Sequence, residues 1–367
     1  MAGTLRFDGQ VALVTGGGAG IGREHCLLLA ARGARVVVNG NYRQSGAGPE
    51  QEVVALIREQ GGEAVGVNGS VTDEAAVRRM VGTAIDTWGR LDILVNNAGS
   101  GQTALTASQA PDEQLERALD THLLGTMRTT RAAWPHLVAS GAGRILNTGS
   151  ACAFGVLTPL GFESAYSVAK SALLAYTRQL AGEGAAAGLK ANLVLPWAHS
   201  PMAAQDLASS PLGKYMREKL EAAKVAAACL WLLHRDCPAS GQFISAAGGR
   251  VARVLIATAP GYCNPQLTPE DVRDHWDSLT LRSWIEEDGE PRLYQEGSVA
   301  SILSPDRIIS GITANGHLAD GTVLFCGTLP AKGGIRPSRK FTFELFDPVR
   351  NARISHTYTV DTLQSAG

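Results

Sequence analysis

Along the first two-thirds of the chain, short apolar runs alternate with longer segments in which apolar residues recur every three or four positions. The runs Val11–Val14, Ala34–Val38, Ala64–Val67, Ile93–Val95, Arg144–Asn147, Ala191–Leu195 and Gly241–Ile244 read as strands. Unbroken apolar stretches of this length suit strands covered on both faces. The segments Arg23–Arg32, Pro49–Gln60, Glu74–Thr87, Asp112–Ser140, Ala165–Ala187 and Leu220–His234 carry the helical period. Strand and helix alternate, which predicts an α/β fold built on a doubly wound parallel sheet.

The texture changes near Gly261. Cys263–Leu267 is a breaker cluster, and Thr268-Pro269-Glu270-Asp271 reads as the start of a short helix ending near Leu279. From Arg292 onward the apolar residues sit in β-prone runs, Ser298–Leu303, Arg307–Ile312, Thr322–Cys326, Lys340–Phe346 and Arg353–Val360. Asn-Gly, Asp-Gly, Gly-Gly and Asp-Pro pairs separate them. The expected organisation is a main domain over 1–262, a helical linker over 263–280 and a small antiparallel β-rich appendage over 281–367.

Composition narrows the function classes. Hydrophobic residues make up 45% and charged residues 18%, enough for a well-buried core, and the formal net charge of -1 recruits neither nucleic acid nor an anionic membrane. A small-molecule partner is expected. The six cysteines, Cys26, Cys152, Cys229, Cys237, Cys263 and Cys326, form no CxxC pair and no zinc spacing, so they read as reduced thiols with no metal site. Met1 runs almost directly into the first strand, and no apolar stretch reaches membrane-spanning length. With no peroxisomal address in Gln364–Gly367, the expectation is a soluble, cytoplasmic protein.

Two loops then suggest a cofactor. Thr15-Gly16-Gly17-Gly18-Ala19-Gly20-Ile21-Gly22 follows the first strand and opens a helix, so backbone N–H groups can approach a pyrophosphate at the helix N-terminus. Alone, this is equally a glycine-rich turn. Asn96-Asn97-Ala98-Gly99 closes the strand Ile93–Val95, placing a second small, polar turn on the same sheet edge. The pair points to a Rossmann-type dinucleotide site.

The candidate chemistry lies further on. Tyr166-Ser167-Val168-Ala169-Lys170 puts a phenol and an ammonium on one helix face, where the cation favours the phenolate and readies the phenol for proton transfer. Ser150, at the carboxyl end of Arg144–Asn147, is placed to hydrogen-bond a substrate oxygen. Singly, these are also an ordinary amphipathic-helix pair and a helix cap.

In this order, TGxxxGIG, NNAG, a strand-end Ser150 and YxxxK resemble the short-chain dehydrogenase/reductase family over roughly residues 5–250. The resemblance implies an NAD(P)-dependent oxidoreductase in which Tyr166 is the general acid/base, Lys170 tunes it and binds the nicotinamide ribose, and Ser150 polarises the carbonyl. It implies cofactor contacts at Thr15, Gly16, Gly18, Gly20, Ile21, Gly22, Ser70, Val71, Asn97, Ala98, Gly99 and Pro196. Ser200 is the nearest candidate for the carboxamide. It also implies a homo-oligomer, dimer or tetramer.

Gly22-Arg23-Glu24, the Asn41–Pro49 insertion, Thr130–Trp134, Trp231–His234 and Leu267–Trp276 are similar to the (3R)-hydroxyacyl-CoA dehydrogenase unit of peroxisomal D-specific multifunctional enzymes and their bacterial relatives. His122 belongs with them, since the wider family usually has Asn there; it is a candidate catalytic-site residue expected to hold a water or backbone near Lys170 rather than titrate, with a proton relay as the alternative.

Three departures from that branch matter. Its second strand ends in Asn-Asp; here Asn39-Gly40 lacks the carboxylate expected on the adenosine ribose of NAD, and Arg43 follows, so NADP is the slightly favoured expectation over NAD. Phe154–Leu160 lengthens the gap between Ser150 and Tyr166 by about three residues. Trp197 replaces a glycine after Pro196 and faces the nicotinamide or packs as an ordinary aromatic. Leu281–Gly367 resembles no hydratase domain and no other family.

The expected activity is interconversion of a secondary alcohol and a ketone on an apolar substrate, such as a hydroxyacyl thioester, a steroid-like ring system or a polyketide-derived ketone. A catalytically altered sensor or scaffold that merely binds the dinucleotide is the alternative. An epimerase or dehydratase on the same fold lacks uridine-binding features here.

Overall fold

The computed structural model describes residues 3–42, 48–101, 105–155, 164–199, 211–256, 262–275, 280–287, 290–298, 340–347 and 352–359. The chain divides into two compact units, Met1–Leu255 and Ile256–Gly367.

In the first unit the strands are β1 (Val11–Val14), β2 (Arg35–Gly40), β3 (Glu63–Asn68), β4 (Ile93–Asn96), β5 (Arg144–Thr148), β6 (Lys190–Trp197), β7 (Phe243–Ala247) and β8 (Arg250–Val254). Their order in the sheet is β3-β2-β1-β4-β5-β6-β7-β8. All pairings are parallel except that of β7 with β8. The chain winds outward from β1 to β3 and returns to the other side of β1 as β4. The carboxyl ends of β1 and β4 therefore flank the point where the winding reverses, which in open α/β sheets leaves a crevice.

The helices are α1 (Gly20–Ala31), α2 (Pro49–Glu59), α3 (Glu74–Trp88), α4 (Asp112–Ala118), α5 (Gly125–Ala139), α6 (Ser164–Glu183), α7 (Pro211–Lys219) and α8 (Ala222–Leu233). Strand side chains alternate between two cores. Ala12, Val14, Val36, Val38 and Ile93 pack with Leu29, Val53, Val225 and Cys229 of α1, α2 and α8. Val11, Leu13, Val37, Leu94 and Ile145 pack with Met80, Leu137 and Leu180 of α3, α5 and α6. Each large apolar side chain buried this way stabilises the fold by about 1.5–3 kcal/mol. Local signals set the helix ends: the Asp73 carboxylate accepts from Ala75 N at 2.8 Å ahead of α3, and Gly89 ends it at φ 72°.

The helix expected over Asp112–Ser140 is divided. A π-helical turn, Leu119–Leu124, separates α4 from α5 and leaves His122 buried within it. Gly125 follows at a close approach, where a Cβ would stand 2.6 Å from Val71. No helix among the described residues is long and apolar enough to cross a membrane.

The second unit holds α9 (Pro269–Asp274), β9 (Thr280–Glu287), β10 (Glu290–Ser298), β11 (Lys340–Asp347) and β12 (Ala352–Thr359). The four strands form one antiparallel sheet in the order β10-β9-β11-β12. A capping box starts α9, with Thr268 and Asp271 exchanging side-chain and backbone hydrogen bonds. The sequence runs at Lys340 and Arg353 match β11 and β12, and an antiparallel β-rich appendage is what the unit contains. Strands β9 and β10 went unread. The runs Arg307–Ile312 and Thr322–Cys326, and all of Ser298–Leu303 but its first residue, lie outside the described residues.

Candidate active site

The glycine loop between β1 and α1 and the turn after β4 are tied together by two side chains. Thr15 Oγ1 accepts from Asn97 N and Ala98 N, each at 3.0 Å, and Asn97 Nδ2 donates to the carbonyls of Thr15 and Gly16 at 3.1 and 3.2 Å. The loop tolerates no side chains at its closest points. A Cβ on Gly22 would meet Gly16 O at 2.2 Å, and Gly16, at φ 65°, would put one 2.9 Å from Ala98 Cα. Ala19 caps α1 without a side-chain bond, so the first N–H groups of that helix are left for another acceptor.

Buried Asn39 locks this loop to the ends of β2 and β3. Its Oδ1 accepts from Gly16 N at 3.2 Å, while Nδ2 faces the carbonyls of Gly40, Val67 and Gly69 at 2.9, 3.2 and 3.0 Å. Around these loops opens a cleft of about 720 Å³, bordered by Gly16, Gly18, Gly40, Glu50, Ser70, Val71, Ala98 and Gly99.

Beyond β4, the carboxyl end of β5 meets the first turns of α6. Lys170 is buried, and its Nζ donates to Thr148 O at 2.6 Å and lies 5.5 Å from the centre of the Tyr166 ring. Burial pulls its pKa down to about 8. Ser150 Oγ accepts from Cys152 N at 3.2 Å, capping the short 3₁₀ turn Ala151–Phe154. The capping role is thus real, yet the hydroxyl still has its own proton to donate. Ser171 Oγ, donating to Ala153 O at 2.5 Å, fastens α6 to the same turn.

His122 packs edge-on against Tyr166, with ring centres 5.0 Å apart, and its Nε2 lies 3.2 Å from Ser100 O. Burial, and after it the nearby Lys170 charge, push its pKa down to about 3. The ring is neutral at ordinary pH, so it touches backbone and Tyr166 without titrating.

Of the other sequence candidates, Pro196 stands near the end of β6 and Trp197 follows it, 46% exposed. Gly20 and Ile21 open α1. Arg43, Ser200 and Val156–Leu160 of the lengthened segment lie outside the described residues. Sequence reading missed the support beneath the site. Asn96 Nδ2 donates to Thr130 Oγ1 and Asn147 Oδ1, and Asn147 Nδ2 to Thr177 Oγ1, all at 2.9 Å. The available signal was an asparagine near the end of each of two adjacent buried strands, a residue type that needs partners when buried.

Residues 10–210 match the family described as short chain dehydrogenase. Residues 265–358, which take in Leu267–Trp276 and most of the Leu281–Gly367 tail that the sequence assigned to no family, match a family described as a protein of unknown function. Peroxisomal multifunctional enzyme type 2 of Mus musculus is 38% identical over 288 residues, covering 76% of this chain and 38% of that one. The chain thus spans well under half of that enzyme. A protein of Mycobacterium tuberculosis named as a short-chain type dehydrogenase/reductase is 34% identical over 278 residues, covering 74% of this chain and 94% of its own. The crystal structure of a short chain dehydrogenase from Burkholderia cenocepacia in complex with NADP superposes with a TM-score of 0.59 at 30% identity, covering 66% of this chain and 98% of that one.

Proposed function

The chain belongs to the short-chain dehydrogenase family, and we propose that it interconverts a secondary alcohol and a ketone using a nicotinamide dinucleotide. The observation that carries this reading is the buried Lys170 ammonium, held on the Thr148 carbonyl beside the Tyr166 ring, one strand away from the crevice at β1 and β4.

A dinucleotide suits that crevice. The side-chain-free Gly16, Gly18 and Gly22 and the uncapped start of α1 would take its pyrophosphate, with Ser70, Val71 and Asn97–Gly99 along its adenosine half. When bound, it supplies or accepts the hydride. The chain's own residues handle the proton and the oxygen. In the reductive direction Tyr166 gives its phenolic proton to the carbonyl oxygen while Ser150 donates a hydrogen bond to the same atom. Lys170 keeps positive charge beside the resulting phenolate, with N–H groups to spare after the bond to Thr148 O. His122, neutral at working pH, orients the Tyr166 ring and takes no proton.

The substrate is apolar, and a 3-hydroxyacyl thioester is the first class to test. Supporting this are the similarity to the hydroxyacyl-CoA dehydrogenase unit and two exposed aromatics, Phe154 after β5 and Trp197 at the end of β6, at the carboxyl edge of the sheet. A panel of 3-oxoacyl thioesters, cyclic ketones and secondary alcohols, followed at the nicotinamide absorbance, tests the proposal. Turnover is expected on at least one carbonyl class. No turnover on any of them, alongside tight dinucleotide binding, would overturn it in favour of a binding role.

A further inference from the structure

β2 ends at Gly40, where the carboxylate for the adenosine ribose was expected and is missing. Another element occupies that place. A Cβ built on Gly40 would stand 2.2 Å from Glu50 Oε2, and one on Gly48 would stand 2.3 Å from the same atom. The Glu50 carboxylate is therefore folded into the space a side chain at position 40 would use, and both glycines are required to admit it. Glu50 belongs to the first turn of α2, is only 2% exposed and borders the cleft. Gly18 packs directly on that turn, since a Cβ there would lie 3.0 Å from Glu50 N. The carboxylate thus sits beside the loop that would hold the pyrophosphate.

Among the described residues Glu50 Oε2 has no hydrogen-bond partner. A buried carboxylate oxygen without a donor is costly, and the N-terminus of α2 offsets only part of that cost. A ribose hydroxyl brings the O–H donor that this oxygen lacks. A 2′-phosphate brings negative charge instead.

We propose that Glu50, reaching across from α2, takes over the role of the missing strand-end carboxylate and recognises the adenosine ribose, so that the chain prefers NAD(H) to NADP(H). This rests on the dinucleotide reading above and replaces the expectation of NADP drawn from Arg43. It is a specificity assignment made from the interlocking of Glu50 with Gly40 and Gly48.

Equilibrium binding of NADH and NADPH to the full chain, followed by nicotinamide fluorescence, tests it without any substrate. Wild type should bind NADH at least about tenfold more tightly than NADPH. Glu50→Gln should lose about tenfold in NADH affinity while NADPH affinity holds or rises. The thermal midpoint of cofactor-free Glu50→Gln should not fall, because Glu50 Oε2 has no hydrogen bond to lose among the described residues; a purely structural Glu50 would lower it. In the double variant Gly40→Asp/Glu50→Ala, the carboxylate returns to the strand end and NADH preference should return with it. An NADH-to-NADPH ratio unchanged in Glu50→Gln, or a wild type that favours NADPH, overturns the assignment while leaving the dinucleotide reading intact. Failure of both nucleotides to bind overturns both.

Discussion

Asn39 offers a test of what holds the glycine loop in place. It is 2% exposed, accepts one backbone hydrogen bond and faces three carbonyls with its amide. At about 0.5–1.5 kcal/mol per bond, Asn39→Ala should cost about 2–4 kcal/mol. Asn39→Asp is nearly isosteric and keeps the acceptor for Gly16 N. It also replaces the donor with a carboxylate facing three carbonyl oxygens. Burying an uncompensated charge this way should cost about 3–5 kcal/mol at pH 8, at least as much as alanine. The introduced carboxyl would titrate above its unfolded value of about 3.9. Its charged form is the penalised one, so stability is retained at low pH and lost as pH rises through the folded pKa. The gap to wild type should therefore narrow at pH 5.5. Hydrogen exchange on peptides spanning β1 to β3 reads this locally, apart from the second unit. An Asn39→Asp protein as stable as wild type at pH 8, or one whose deficit widens at pH 5.5, would refute the argument.

The remaining predictions concern charge. Lys170 titrates near 8 when folded and at 10.5 in its ordinary state. Between those values the folded chain holds fewer protons than the unfolded one, so stability should rise with pH across the window. Unfolding midpoints from pH 7.5 to 10.5 should show that slope in wild type and lack it in Lys170→Met; equal slopes would contradict the burial argument. In the reductive direction kcat/KM should fall above about pH 8 as the ammonium is lost. With His122 held near 3, the profile between pH 5 and 7 should carry no histidine step. An inflection near 6 that disappears in His122→Asn would show the ring to be a proton carrier after all.

The central strands were legible because burial on both faces leaves continuous apolar runs such as Val11–Val14 and Val36–Val38. Strand β8 was not, since Arg250 and Arg253 break its apolar pattern at the sheet edge. The π turn was equally hidden: nothing in the helical period of Asp112–Ser140 marks the insertion that buries His122. At the site, the Tyr166–Lys170 spacing carried its meaning because helix geometry alone brings the two side chains together. Glu50 carried none, because its position depends on the end of β2 and the start of α2 meeting in space. Gly40 and Gly48 read as absences until the carboxylate between them was placed. Asn39 likewise reads as an ordinary polar residue until three separate strand and loop ends converge on its amide.

Tyr166 is the group on which the proposed reaction depends most directly. Turnover and dinucleotide affinity should be measured on the same preparations of wild type and Tyr166→Phe, using whichever carbonyl substrate the wild type reduces best. Loss of the proton donor should lower kcat by about 10²–10⁴-fold while the dinucleotide Kd stays within about threefold. Undiminished kcat in Tyr166→Phe would contradict the assignment of the reaction to this site.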